Sequence, residues 1–80
     1  MVVIFYRTTA KGQEEAGRIT YDGTDPQPSN EYAGHLMAVL LEGVDPKDRT
    51  QVAKALRAAP GRFDGSYLRA ALEDDRGGPD

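Results

Sequence analysis

The sequence predicts an α+β fold in which an N-terminal antiparallel β-hairpin packs against two or three short helices. Two runs near the N-terminus, residues 2–9 and 17–22, are rich in β-branched and aromatic residues, as strands are. Two later segments, residues 31–42 and 46–59, repeat their apolar residues at helical spacing. A chain of 80 residues is long enough for one small domain, which we place at residues 1–72.

The two strand runs differ in which of their faces are apolar. Residues 2–9 are apolar on both faces, which predicts a central position or cover on both sides. In the second run Ile19 and Tyr21 alternate with polar residues, which is typical of a half-buried strand. We interpret the polar residues 10–16 as the connection of the hairpin. Because a two-stranded sheet is marginal alone, we expect a further strand from the C-terminal segment or from a second copy in a homodimer.

The first helical segment follows a proline-rich loop, residues 24–30, which supplies an N-cap. Residues 31–42 then carry a broad apolar stripe, and Gly43 is suited to end the helix. This segment is the predicted main helix of the core.

The second helical segment is amphipathic but has a thin apolar face. Asp45 is a good N-cap and Pro46 suits the first helical position. Val52 and Leu56 are its two large apolar residues, and Pro60 is expected to stop it.

The C-terminal segment is short and its periodicity is ambiguous. Ser66 can cap a short third helix, but a strand over residues 63–70 is also compatible with the pattern. Residues 73–80 have little to bury and are expected to form a mobile acidic tail.

The aromatic residues of this segment, Phe63 and Tyr67, allow two interpretations. Since aromatic and arginine side chains are common anchors of protein interfaces, they could belong to a binding surface with Arg62 and Arg69. A core this small can hardly leave two aromatic side chains in solvent. We therefore expect both rings to pack against the hairpin, with the two arginines outside.

Charge is unevenly distributed along the chain. The net charge is −3, which argues against a generic nucleic-acid-binding protein. Residues 46–72, however, carry six basic and two acidic residues, +4, while the rest carries four basic and eleven acidic residues, −7. The basic residues of this segment are Lys47, Arg49, Lys54, Arg57, Arg62 and Arg69.

Residues that could support catalysis or metal binding are sparse. The single histidine, His35, is interpreted as a surface residue beside Glu31, because a metal site normally needs three or four ligands. Ser66 lies outside a nucleophile motif, and we interpret it as a cap or turn residue. We therefore expect no enzymatic activity, no cofactor and no metal. With no cysteine, no signal peptide and no membrane-spanning run, a soluble cytoplasmic protein is expected.

Part of the chain resembles a known group of proteins. The run AKALRAAPGRFDGSYLRAAL, residues 53–72, is similar to the C-terminal block of small uncharacterised bacterial and prophage-type proteins, in which Gly-Ser-Tyr-Leu-Arg-Ala follows an aromatic residue. The N-terminal Tyr-Arg and the later Ile-Thr-Tyr-Asp-Gly resemble their opening hairpin. The resemblance implies a domain of its own kind rather than a fragment of a known enzyme, and it implies no activity.

Two functions follow as expectations. The first is a small non-enzymatic interaction protein, such as a phage or mobile-element accessory factor, that binds another protein or a second copy of itself. The alternative is a nucleic-acid-binding regulator that uses the basic segment 47–69. The residues expected to form the interaction surface are Lys54, Arg57, Arg62, Phe63, Tyr67 and Arg69.

Overall fold

The structure, a computed structural model, describes residues 1–73 of the chain. The strands are β1 (Val2–Thr9), β2 (Gly12–Thr20), β3 (Gln27–Pro28) and β4 (Leu68–Glu73). The helices are α1 (Glu31–Leu40), α2 (Arg49–Arg57) and α3 (Ala59–Arg62). The sheet is antiparallel throughout and has the order β3-β2-β1-β4. The predicted α+β fold, with an N-terminal hairpin and short helices, is confirmed.

The N-terminal hairpin is longer than predicted. β2 begins at Gly12, so most of residues 10–16 belong to a strand, and the turn itself consists of Ala10 and Lys11. Residues 12–15 are exposed. Because this end of the hairpin has no buried side chains, it lacks the alternation of apolar and polar residues by which a strand is predicted.

β1 is a central strand of the sheet and contributes to both of its faces. Val3 and Phe5 are fully buried in the core cluster that includes the helices. Val2 and Ile4 alternate with them and therefore point to the opposite face, where they are also nearly buried. The central position predicted from a run that is apolar on both faces is confirmed. We call the side that carries Val2 and Ile4 the open face, and the other side the helical side.

The extra strand that the hairpin needs comes from the C-terminal segment. β4 pairs with β1 along its whole length, so the segment does contain a strand, but the strand spans Leu68–Glu73 and not the predicted residues 63–70. The alternative of a short helix capped by Ser66 is wrong. β4 includes Glu73, the first residue of the predicted tail. The remainder of that tail, residues 74–80, lies outside the described residues.

The start of α1 is attached to the sheet through one side chain. Asn30 is the N-cap, and its Oδ1 accepts a hydrogen bond from the Ala33 amide at 2.8 Å. Its Nδ2 donates to the Ala16 carbonyl of β2 at 2.9 Å. α1 ends at Leu40, two residues earlier than predicted, and a turn leads to Gly43, whose φ of 78° favours glycine.

The start of α2 differs from the prediction. Its N-cap is Asp48, which accepts a hydrogen bond from the Gln51 amide at 3.2 Å, and the helix begins at Arg49. Asp45 instead accepts from the backbone two residues later, at 3.0 Å, and so stabilises a turn before the helix, with Pro46 inside that turn. Both aspartates precede the apolar-periodic segment, so from the sequence either could be its N-cap. Because Asp45 is used in the turn before the helix, Asp48 is the N-cap.

Pro60 does not end the helical region as predicted. α2 ends at Arg57, and Pro60 lies in the first turn of α3, where its missing N–H leaves no hydrogen bond unmade. Val52 and Leu56 are fully buried, which confirms the predicted apolar face of α2.

The hydrophobic core lies between the sheet and the helices. Its buried members are Val3, Phe5, Ile19, Tyr21, Ala33, Leu40, Val52, Leu56, Ala59 and Ala70. Among the described residues, no polar or charged side chain is buried. No helix in this part of the chain is long and apolar enough to cross a membrane.

Candidate functional site

Three of the predicted interaction residues lie on the helical side. Lys54 and Arg57 occupy the last turn of α2, and Arg62 is the last residue of α3. All three side chains are exposed. The Arg62 guanidinium donates to the Val39 carbonyl near the C-terminal end of α1 at 3.4 Å, where a positive charge is favourable for the helix dipole.

The two aromatic residues have different positions. Phe63 is half-buried, and its ring meets Phe5 edge to face with centroids 5.6 Å apart, so its predicted packing on the hairpin is confirmed. The same prediction for Tyr67 is wrong, because that side chain is 79% exposed. Tyr67 immediately precedes β4, and its carbonyl accepts from the Thr8 amide at 3.0 Å. Its backbone is therefore held to the sheet while its ring stays in solvent.

Arg69 lies on the other side of the molecule. On β4 it is paired with Tyr6 of β1, while its neighbour Ala70 is buried in the core. Successive strand residues point to opposite faces, so Arg69 points to the open face. The six predicted residues therefore do not form one surface, since Phe63 packs on the core and Arg69 lies away from Lys54.

An open groove of about 530 Å³ runs along α2 and includes one of the predicted residues. We call it the α2 groove, and its lining residues are Val44, Gln51, Lys54, Ala55 and Ala58. The last four lie at i, i+3, i+4 and i+7, which places them along one side of the helix. Two of them are alanines, whose small side chains leave room beside Val44.

Sequence reasoning identified only one residue of the α2 groove, Lys54. A groove forms where side chains are small and a neighbouring segment does not pack closely on the helix. Neither property produces a recognisable sequence motif. The available signal was the pair Ala55 and Ala58 on a helix with just two large apolar residues. Val44 comes from the connection after α1, and periodicity cannot place such a residue.

Two arginines of the sheet form ion pairs with glutamates. At the sheet, Arg7 is 3.0 Å from a Glu14 carboxylate oxygen, and Arg18 is 2.6 Å from one of Glu15. Within residues 1–73, no carboxylate lies at ion-pair distance from the basic residues at the ends of α2 and α3. Those helical-side residues are Lys54, Arg57 and Arg62.

The shifted pKa values belong to the sheet and its loops. Hydrogen bonds from the Arg18 guanidinium hold the pKa of Glu15 below its usual value, and the same contact raises the pKa of Arg18. The pKa of Asp22 is lowered by hydrogen bonds from the hydroxyl and then the amide of Thr24. None of these groups lines the α2 groove.

Residues considered for catalysis are not assembled into a site. His35 is exposed on α1, as predicted, and in the described part of the chain it makes no hydrogen bond to Glu31 or to Ser66. The Ser66 carbonyl accepts from the Thr8 hydroxyl at 2.7 Å. Residues 1–73 contain no group of three side chains placed to hold a metal ion.

Comparison of the chain with protein-family models, with curated proteins and with solved structures found no match. The resemblance of residues 53–72 to small bacterial and prophage-type proteins stays a prediction.

Proposed function

We propose that this protein is a non-enzymatic interaction module that binds another protein on its helical side, with α2 as the main contact element. The observation that carries the proposal is the α2 groove, in which an apolar floor lies beside Lys54, a residue that forms no ion pair with any of residues 1–73. Apolar depressions bordered by charged residues are typical of surfaces that take a protein side chain.

Within residues 1–73, the ends of α2 and α3 carry three basic residues without an ion-pair partner, whereas on the open face Arg69 has none and Arg18 has one. The number of such residues favours the helical side. Arg18 on the open face has a glutamate partner, so a ligand would have to compete with an existing ion pair. Lys54 and Arg57 have no such partner among the described residues, so an anionic ligand would meet them uncompensated.

A second candidate function is nucleic-acid binding through the same basic residues. The observation that favours it is that no carboxylate in the described part of the chain pairs with them. In that case affinity falls steeply with added salt, because each phosphate contact releases counterions. The Arg57→Glu and Arg62→Glu changes then weaken binding, while Arg69→Glu, an equal charge reversal on the other face, leaves it unchanged. We rank this function second because the chain is acidic overall.

Site-specific photo-crosslinking tests the protein-binding function. A benzoylphenylalanine replacing Thr50, which is exposed on α2 one turn before Lys54, reports on the helical side. The same group replacing Gln13, which is exposed on β2, reports on the sheet. After irradiation in a nuclease-treated lysate of cells that naturally produce the protein, we expect a discrete protein adduct from position 50 and none from position 13.

Other adducts would contradict the proposal in distinct ways. Equal adducts from both positions would indicate non-specific collision. An adduct that nuclease removes would move the function to nucleic-acid binding. An adduct of twice the mass of the chain would identify a second copy as the partner.

A further inference from the structure

The lining of the α2 groove indicates the chemistry of its partner, an inference that rests on the proposed function. We propose that the groove receives an acidic amphipathic segment of another protein, with an aliphatic side chain seated between Val44 and Ala58 and a carboxylate placed against Lys54.

The apolar part of the partner is inferred from the floor of the groove. Val44, Ala55 and Ala58 present only aliphatic carbon, and no aromatic ring lines the groove. A nucleobase would therefore find no surface on which to stack, although base stacking supplies much of the affinity for single strands. An aliphatic side chain needs only apolar contact, which these three residues offer.

The acidic part is inferred from charge complementarity. Lys54 lines the groove, and Arg57 follows it by three residues on the same helix, which makes them neighbours on its surface. The carboxylate nearest in sequence to Lys54, Asp48, is already engaged, because it caps α2 and accepts from the Gln51 side-chain amide at 3.0 Å. A carboxylate supplied by a partner is therefore the natural counter-charge for this end of α2.

Fluorescence polarisation with defined peptides tests the inference on the full chain. The probe is a short fluorescein-labelled peptide of Glu-Leu-Leu-Glu repeats. Two matched peptides, one with lysine in place of every glutamate and one with serine in place of every leucine, test the charge and the apolar component separately. We expect the first peptide to bind at least tenfold more tightly than either of the others.

Variants of the chain then locate the binding site. Ala58→Phe fills the groove without changing charge, and Lys54→Glu reverses the charge at its rim. Each is expected to weaken binding of the acidic peptide at least tenfold. Arg69→Glu changes charge equally on the open face and is expected to leave binding unchanged. Both Ala58 and Lys54 are exposed, so neither substitution disturbs the core, and thermal unfolding verifies this.

Several results would overturn the inference. They are equal binding of the lysine peptide, binding unaffected by both Ala58→Phe and Lys54→Glu, or sedimentation showing that the chain itself associates through this groove. If none of the peptides binds while position 50 still captures a nuclease-resistant protein adduct, the partner chemistry is wrong but the interaction module stands. If position 50 captures no protein, the proposed function itself fails.

Discussion

Gly17 lies where β2 approaches the start of α1, and the space there is too small for a Cβ unless a neighbouring atom shifts. A Cβ at this position would lie 2.8 Å from Asn30 Oδ1 and 2.9 Å from the Ala33 Cβ. Asn30 cannot withdraw without losing its cap and its hydrogen bond to Ala16. We expect Gly17→Ala to destabilise the protein by about 1–3 kcal/mol, the usual effect of overpacking, as measured by urea unfolding.

Substitution of Gly34 by alanine provides a control, because the expected change in stability has the opposite sign. It lies inside α1, and an added Cβ would meet the Pro28 ring at 3.7 Å, an ordinary van der Waals distance. Gly34→Ala should therefore stabilise the protein by about 0.5–1 kcal/mol through helix propensity. If both substitutions destabilised the protein, the space around Gly34 would be as restricted as the space around Gly17, which contradicts the distances above.

The loop after β2 contains a carboxylate, Asp22, whose pKa is lowered mainly by one hydroxyl. The Thr24 hydroxyl donates to Asp22 Oδ1 at 2.6 Å and is the main reason why the pKa of Asp22 lies below its usual value. Since the folded pKa is lowered, the stabilisation is present above the usual value and is lost as the pH falls through the folded pKa. Thr24→Val should raise the pKa of Asp22 towards its usual value in an NMR titration. An unchanged pKa would assign the effect to the backbone amide.

At the scale of elements, the connection between α3 and β4 packs on the core through one aromatic contact, in addition to its backbone hydrogen bonds to the sheet. Phe63 packs edge to face on Phe5, whereas Tyr67 is in solvent. We expect Phe63→Ala to destabilise the protein by about 2–3 kcal/mol and Tyr67→Ala to change stability by no more than about 0.5 kcal/mol. Urea unfolding of both variants tests this, and a large effect of Tyr67→Ala would mean that its ring is buried.

Elements whose side chains alternate or repeat were predictable from the sequence, and elements without such a pattern were not. Ile19 and Tyr21 alternate with polar residues, and both are buried. Residues 12–15 are a strand with no buried side chain, so their composition resembles a loop. β4 has one buried residue, Ala70, and its pairing with β1 depends on a contact distant in sequence. The strand propensity of residues 68–73 alone gives no information about that contact, so the strand could not be located from it.

At the scale of the whole molecule, the sheet order predicts which amides are most protected. β1 is hydrogen-bonded on both sides, to β2 and to β4. Residues 12–15 pair on one side only and are exposed. In native-state hydrogen exchange, the backbone amides in the part of β1 that contains Val3 and Phe5 should exchange at least about 100-fold more slowly than the backbone amides of residues 12–15. Similar rates in both places would contradict a central position for β1.

The candidate site could be predicted only in part, because residues close in sequence are separated by the fold. Lys54 and Arg57 lie on α2, as the helical pattern predicted, whereas Arg62 ends α3, a helix that the pattern did not predict. All three are found on the helical side. Arg69 is seven residues beyond Arg62, but the chain has changed from helix to strand between them, and strand alternation places it on the open face. The interaction surface stays a prediction.

The position of β4 also determines when the sheet can be completed. Among the described strands, β1 has as its neighbour the one most distant from it in sequence, β4, and Val2 pairs with Glu73. During synthesis the hairpin therefore emerges from the ribosome with one side of β1 unsatisfied until residues 68–73 have followed. Contacts so distant along the chain slow folding, because a large loop must close before they form. A nascent or truncated chain that lacks β4 presents an apolar strand edge to other chains, which makes it a substrate for chaperones or a seed for aggregation.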